Sequence, residues 1–171
     1  MTTTKHVEDV DRGWKRIVRD MTKGAKADLV VDVGLVGSEA AEPHGELGEL
    51  TNADVGLFHE YGTDTGIPER SFIRALVDEK HAQITRFFER ISQGIIDDKV
   101  SEERGLGLAG TQVVAWIKAR ILAHIPPPLT EETIELKTVG GKKGTTPLID
   151  TGQLIGAITH AVRSGREGER T

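Results

Sequence analysis

Apolar residues recur at spacings of three and four over three stretches of the chain, the mark of helices that bury one face. Between Glu8 and Lys23 the stripe is Val10, Trp14, Ile17, Val18 and Met21, with Lys15, Arg16 and Arg19 off it, and Gly24 stands where such a helix would end. The longest stripe lies between Glu69 and Asp97 and runs through Phe72, Ile73, Leu76, Val77, Ile84, Phe87, Phe88, Ile91 and Ile95. It holds three of the four phenylalanines, which predicts that this helix anchors the core. A third helix is predicted from Leu106 to His124, with Ala109 or Gly110, Val113, Val114, Ile117, Ile121 and Leu122 on its face. Pro126, Pro127 and Pro128 stop it, because proline lacks the amide donor. The charged residues from Asp97 to Arg104 are read as a break between the two long helices.

The other segments are shorter. From Asp28 to Gly37, Val31, Val33 and Leu35 alternate with Asp32 and Gly34, which predicts a strand with one wetter face. Residues Ser38 to Thr51 have no period and read as a loop or a ragged hairpin connection. Asn52 to Tyr61 reads as a short helix with Asn52 as its cap, broken by Gly62 to Pro68. Thr130 is placed to cap another short helix that begins Glu131-Glu132. Lys137 to Thr146 is rich in Gly, Lys and Thr and reads as a mobile loop, and Pro147 to Gly152 as a turn. Leu154 to Val162 fits a short helix, a strand, or one running into the other.

This order predicts an α+β fold: a small, mostly antiparallel sheet packed on two long helices, with mobile loops and termini. The domain organisation read from it is an arm over 1–7, one α+β domain over 8–163 with mobile loops near 38–51 and 137–146, and a tail over 164–171. No internal repeat is visible.

Composition narrows the chemistry. The chain has 171 residues, enough for one domain, and 37% are hydrophobic, enough for a modest core. With no cysteine, disulfides, thiolate metal sites and cysteine catalysis are excluded. The polar start, Met1 to Lys5, is unlike a signal peptide, and no apolar run approaches a spanning helix, so no membrane role is expected. A net charge of −5 makes phosphate-backbone binding a poor fit for the whole chain.

Each candidate chemical motif fails on a named neighbour. Gly105, Gly107 and Gly110 match the spacing of a dinucleotide-binding loop, but charged residues precede them where a buried strand is required. Their alternative reading is a helix start with small residues where helices approach closely. Gly140 to Thr146 resembles a phosphate-binding loop in composition only, and its lysines fit a mobile basic contact better. His59-Glu60 begins like a zinc-protease helix, but Thr63 stands where the second histidine is needed. The remaining histidines are scattered, and no Gly-x-Ser-x-Gly elbow occurs. No catalytic, cofactor or metal residues are assigned, and the expectation is a protein that is not an enzyme.

Two segments stand apart. One is Glu60-Tyr61-Gly62-Thr63, followed by Ile67-Pro68-Glu69-Arg70-Ser71-Phe72; the other is Pro147-Leu148-Ile149-Asp150-Thr151-Gly152-Gln153-Leu154. On physical grounds they are turns and caps: Gly62 permits a positive φ, Pro68 and Glu69 suit the entry to the long helix, and Arg70 and Arg74 fall on one helical face a turn apart. Asp150 or Thr151 suits the cap of whatever begins at Gly152. In order and spacing the two segments resemble the tail-completion family of tailed bacteriophages, also described as virion morphogenesis or minor tail proteins. Pro127-Pro128-Leu129, with Thr133, Ile134 and Lys137, is similar to the family's stretch between helix and turn. The resemblance spans roughly Val7 to Val162. Ser71 stands where the family commonly has proline, which predicts a different turn into the long helix, and the Ser38–Thr51 loop is longer than expected.

The resemblance implies a structural virion protein at the head–tail junction, in the neck or tail end, made in the host bacterial cytoplasm. It would complete the tail or join it to the head as part of a homo-oligomeric ring. Its implied partners are other neck and tail proteins: a tail terminator, an adaptor or stopper, and the tail tube. Nucleic acid would be met only at the channel, and no cofactor is implied. The implied interface and turn residues are Glu60, Tyr61, Gly62, Thr63, Pro68, Arg70, Phe72, Leu148, Asp150, Thr151, Gly152 and Leu154. The alternatives are a tail terminator or head–tail adaptor of the same neck and, more remotely, a nucleotide-binding enzyme using Gly105 to Gly110.

Overall fold

The computed structural model describes residues 28–45, 50–139, 147–148 and 152–165. The helix expected over Glu8–Lys23, the arm over 1–7, Asp150 and Thr151 lie outside the described residues, as does 140–146, most of the expected basic loop.

The elements follow in the order β1 (Leu29–Leu35), α1 (Gly37–Ala41), α2 (Asn52–Tyr61), α3 (Arg74–Ile96), α4 (Glu102–Leu122), α5 (Glu131–Val139), α6 (Gln153–Ala157) and β2 (Ile158–Ser164). The fold is α+β, as expected, and its sheet is the antiparallel pair β1–β2, with Leu29 opposite Ser164 and Leu35 opposite Ile158. The strands are joined on one face by the Asp32–Arg163 ion pair. The amide of Gly165 still bonds to the Asp28 carbonyl, so the chain stays paired through the start of the expected tail.

The two long helices are not equivalent. The sheet rests on α4, which packs against both strands, and α3 packs on α4. The core gathers Phe72, Leu76, Ile117, Ile121, Ile125, Leu148, Leu154 and Ile158. Of the long stripe only Phe72 and Leu76 reach this centre; the later apolar residues of α3 are half-buried or exposed. α3 therefore anchors the core at its beginning and not along its length.

Several boundaries differ from the expected ones, each for a local reason. α3 begins at Arg74 and not at Glu69, because residues 69–73 form a loop that is capped from another helix. α4 begins at Glu102: the Ser101 hydroxyl accepts the Arg104 amide and Glu102 and Glu103 occupy the favourable first turn, so the charged break shrinks. The cap of α2 is Thr51 and not Asn52. Thr51 and Asp54 form a reciprocal capping box, which also holds the Asp54 carboxyl below its ordinary value. The side chain of Asn52 turns instead to the Glu39 carbonyl at 2.7 Å and to His44 Nδ1 at 2.7 Å. The described residues of the expected loop over 38–51 are structured: they open with α1 and close as a bridge between Pro43 and Thr51. α5 extends to Val139, so the expected mobile loop over 137–146 begins as helix. The alternatives for Leu154–Val162 resolve as α6 running directly into β2.

Candidate functional site

The first motif segment folds into a knot between the end of α2 and the start of α3. Glu60 sits at its centre and is 5% exposed. Its Oε2 accepts the amides of Phe72 at 2.8 Å and Ile73 at 3.0 Å. Its Oε1 accepts the Arg74 amide at 2.8 Å and the Ser71 hydroxyl at 2.7 Å. A helix start leaves its first amides without carbonyl partners, and a carboxylate facing them satisfies both their hydrogen bonding and their partial positive charge. Glu60 on α2 is therefore the cap of α3. Burial pushes its carboxyl up, but the bonds from Ser71, Ile73, Arg74 and Phe72 outweigh this and hold it below the ordinary glutamate value.

The two arginines have opposite fates, because Arg70 precedes the helix and does not share a face with Arg74. Arg70 is buried, and its guanidinium donates to the carbonyls of Pro127 at 2.9 Å and Pro128 at 3.3 Å. Burial lowers its pKa. The knot is thereby fastened to the proline stretch that ends α4. Arg74 lies outside, bonded to the Glu60 carbonyl and to Glu69, each at 2.8 Å, with its guanidinium 4.3 Å from the Tyr61 ring centroid.

The other motif residues shape the turn. Gly62 has φ +73°, and a Cβ there would lie 3.0 Å from the Glu69 nitrogen, so both conformation and space require glycine. The Thr63 amide bonds to the Ile67 carbonyl, and the Thr63 hydroxyl accepts the Ile67 amide. Pro68 is exposed beside this turn and does not start the helix.

The second motif meets the first in the core. Leu148 and Leu154 are buried in the same cluster as Phe72, and Gly152 takes a left-handed φ of +83° at the start of α6. Gln153, which the motif leaves unspecified, donates to the Pro43 carbonyl at 2.6 Å and accepts the Gly45 amide at 3.1 Å.

Sequence reasoning missed Ser71, Arg120 and Gln153 as structural residues. Ser71, the departure from the family pattern, donates to Glu60 and accepts the Ala75 amide at 3.1 Å. Arg120 donates to the Ser71 carbonyl at 3.1 Å. Arg120 and Gln153 find their partners 49 and 110 residues away, and the carbonyl acceptors carry no residue identity to read.

The knot leaves a definite outer surface. Leu57 is 55% and Tyr61 57% exposed, and beside them lies an apolar cleft walled by Val33, Leu35, Ala53 and Ile73. The carboxylate of Glu60 is committed to backbone amides, a hydroxyl and the Arg74 guanidinium, whose Nε lies 3.3 Å from Oε1, an arrangement that orders the loop.

The other candidate motifs change meaning. Gly105, Gly107 and Gly110 lie inside α4, not at a strand–helix turn. Gly105 faces Ile91 and Ile95 of α3, and Gly110 faces the His160 ring of β2. The close-approach reading fits these contacts. Among the described residues, no group of three histidine, aspartate or glutamate side chains is placed to hold a metal. No helix among them is long and apolar enough to cross a membrane. Comparison with family models, with curated proteins and with solved structures returns no match.

Proposed function

We propose that this chain is a structural, non-enzymatic virion protein of a tailed bacteriophage, which completes the tail or joins it to the head at the neck through ring-like contacts with copies of itself and with other neck and tail proteins. The reading rests on the resemblance of the two motif segments. The observation that supports it best is their convergence: Phe72 of one packs with Leu148 and Leu154 of the other. The motif residues work together as a braced unit, with Glu60 holding the first amides of α3 and Arg70 the carbonyls of the proline stretch.

A braced loop that presents Leu57, Tyr61 and Arg74 outward suits protein recognition, since exposed aromatic and arginine side chains on rigid supports dominate interface energies. Particles made without this gene should accumulate as separate heads and unfinished tails under the electron microscope. Complete, joined and infectious particles would sink the proposal. Supplying a Leu57→Ser, Tyr61→Ser double variant in place of the natural chain should leave the fold intact by circular dichroism and fail to restore joining.

A further inference from the structure

The edge of β1 away from β2 carries main-chain groups that no described residue meets. The Gly165 amide bonds to the Asp28 carbonyl, which makes these two a hydrogen-bonded pair in the register that continues to Leu35 and Ile158. Bonded and non-bonded pairs alternate along an antiparallel ladder. Asp32 and Gly34 therefore turn their amides and carbonyls to β2, while Val31, Val33 and Leu35 turn theirs to the other edge. Among the described residues no hydrogen bond reaches that edge. It also lacks the usual guards: β1 has neither lysine nor proline, and its one charge, Asp32, is tied to Arg163 of β2.

The apolar cleft beside Leu57 and Tyr61 lies against this edge. One of its walls is the unbroken run Val33, Gly34, Leu35 and Val36, the last still extended at φ −131° and ψ 157°. Successive residues of a strand point to opposite faces, so a cleft lined by all four meets the strand edge-on. No residue of β2 lines it, so the edge it meets is the free one. The facing wall is α2, through Ala53, Leu57 and Tyr61 at spacings of four.

We infer that this cleft takes an extended segment of a partner protein, added as a third strand to the free edge of β1, with alternate apolar side chains set between β1 and α2. The main-chain groups of Val33 and Leu35 then pair with those of the segment, and the α2 wall receives every second side chain. A third strand also completes a sheet that two strands leave short. Charge selects the segment. The charged residues that line the cleft, Glu60 and Arg74, are paired with each other at 3.3 Å, so the side chains that enter are uncharged. Size selects it too. The β1 edge of a second copy is flanked by its own α2, and a cleft of about 350 Å³ has no room for both, whereas a lone extended segment fits. The inference rests on Leu57 and Tyr61 as a recognition surface and not on the phage assignment.

The probe is a library of random peptides about ten residues long, selected on the full natural chain. Selected peptides should carry uncharged apolar residues at every second position. N-methyl groups walked along a synthetic copy should weaken binding about tenfold or more at every second amide and leave the amides between them nearly unchanged. Val33→Pro removes an outward amide and no bond of the β1–β2 ladder, and should weaken binding by a similar factor with the fold kept by circular dichroism. Leu57→Ser should weaken it as well. Selected peptides with apolar residues at spacings of three and four would make the occupant a helix and overturn the proposal. Methylation effects without a period of two overturn it, and so does a library that yields no binder. A dimer of the natural chain in sedimentation that Leu57→Ser dissolves would seat a second copy and overturn it too. If no peptide binds while the Leu57→Ser, Tyr61→Ser chain still fails to restore particle joining, the recognition surface stands and its extended occupant falls.

Discussion

The hydroxyl of Ser71 donates to Glu60 Oε1 at 2.7 Å, and its oxygen in turn accepts the Ala75 amide at 3.1 Å. A side chain from α2 and one from the loop thus divide the first free amides of α3 between them. Neither residue does this alone, because Glu60 reaches only as far as the Arg74 amide. Proline at position 71, common in the resembled family, would preset the loop backbone but could not bridge Glu60 to Ala75. The different turn expected from Ser71 therefore takes the form of an added hydrogen-bonded bridge.

Removing the carboxylate with Glu60→Ala strands the buried amide of Phe72 and the half-buried one of Ile73, and an unsatisfied buried donor costs about 1–3 kcal/mol. Urea unfolding should show a loss of at least that size. Ser71→Ala removes one bridge and should cost about 1 kcal/mol. A double variant whose losses fall well short of additive would confirm that the two act as a unit.

The same carboxylate makes stability depend on pH. Its folded pKa is depressed, so the folded state binds its proton less readily than the unfolded chain does. Its contribution is fully present above the ordinary glutamate value, about 4.3, and is lost as pH falls from there through the lower folded value. Glu60→Gln should flatten that part of the stability profile while leaving the region above pH ~6 parallel to the natural one. An unchanged acid limb would show that Glu60 does not govern it.

Gly62→Ala tests the turn. It places a Cβ 3.0 Å from the Glu69 nitrogen at φ +73°, a conformation that costs a non-glycine residue about 1–3 kcal/mol. A fall in Tm is expected, larger than for Gly66→Ala, where a Cβ meets nothing within 4 Å although φ is also positive. Equal losses at the two positions would leave only the backbone effect.

Much of the fold was legible because helices and strands print their periods locally. The alternation of Val31, Val33 and Leu35 marked β1, and the stripes marked α3 and α4. The starts of helices were less legible, because a cap can come from elsewhere. Ser101 and Thr51 are adjacent to the helices they cap, so their signal was present in the sequence and was outweighed by the run of charges from Asp97 to Arg104 and by Asn52. Glu60 caps α3 from another helix, and no local pattern announces that. The candidate site was half legible. Gly62 and Phe72 could be read as special positions, but Arg70 finds its acceptors at Pro127 and Pro128, where any residue would supply the same carbonyl.

The glycine triplet at 105, 107 and 110 offers a sharp separation of two readings. In α4 a Cβ at Gly110 would fall 2.5 Å from the His160 ring, and one at Gly105 would fall 2.9 Å from Ile95 Cδ1, while one at Gly107 meets nothing within 4 Å. Gly110→Ala must therefore push β2 away from α4 or turn His160 off its position, at a cost of about 1–3 kcal/mol. Gly107→Ala instead replaces the poorer helix former at an open site, and should stabilise by about 0.5–1 kcal/mol. A dinucleotide-binding loop would differ at Gly107, because there the middle glycine lets the backbone approach the pyrophosphate, so Gly107→Ala would cost nucleotide binding. Thermal unfolding of the two variants, with and without added nicotinamide dinucleotide, decides the matter. Stabilisation by Gly107→Ala with no response to the nucleotide leaves the triplet as a packing device. A nucleotide-dependent rise in Tm that Gly107→Ala abolishes would restore the enzyme reading.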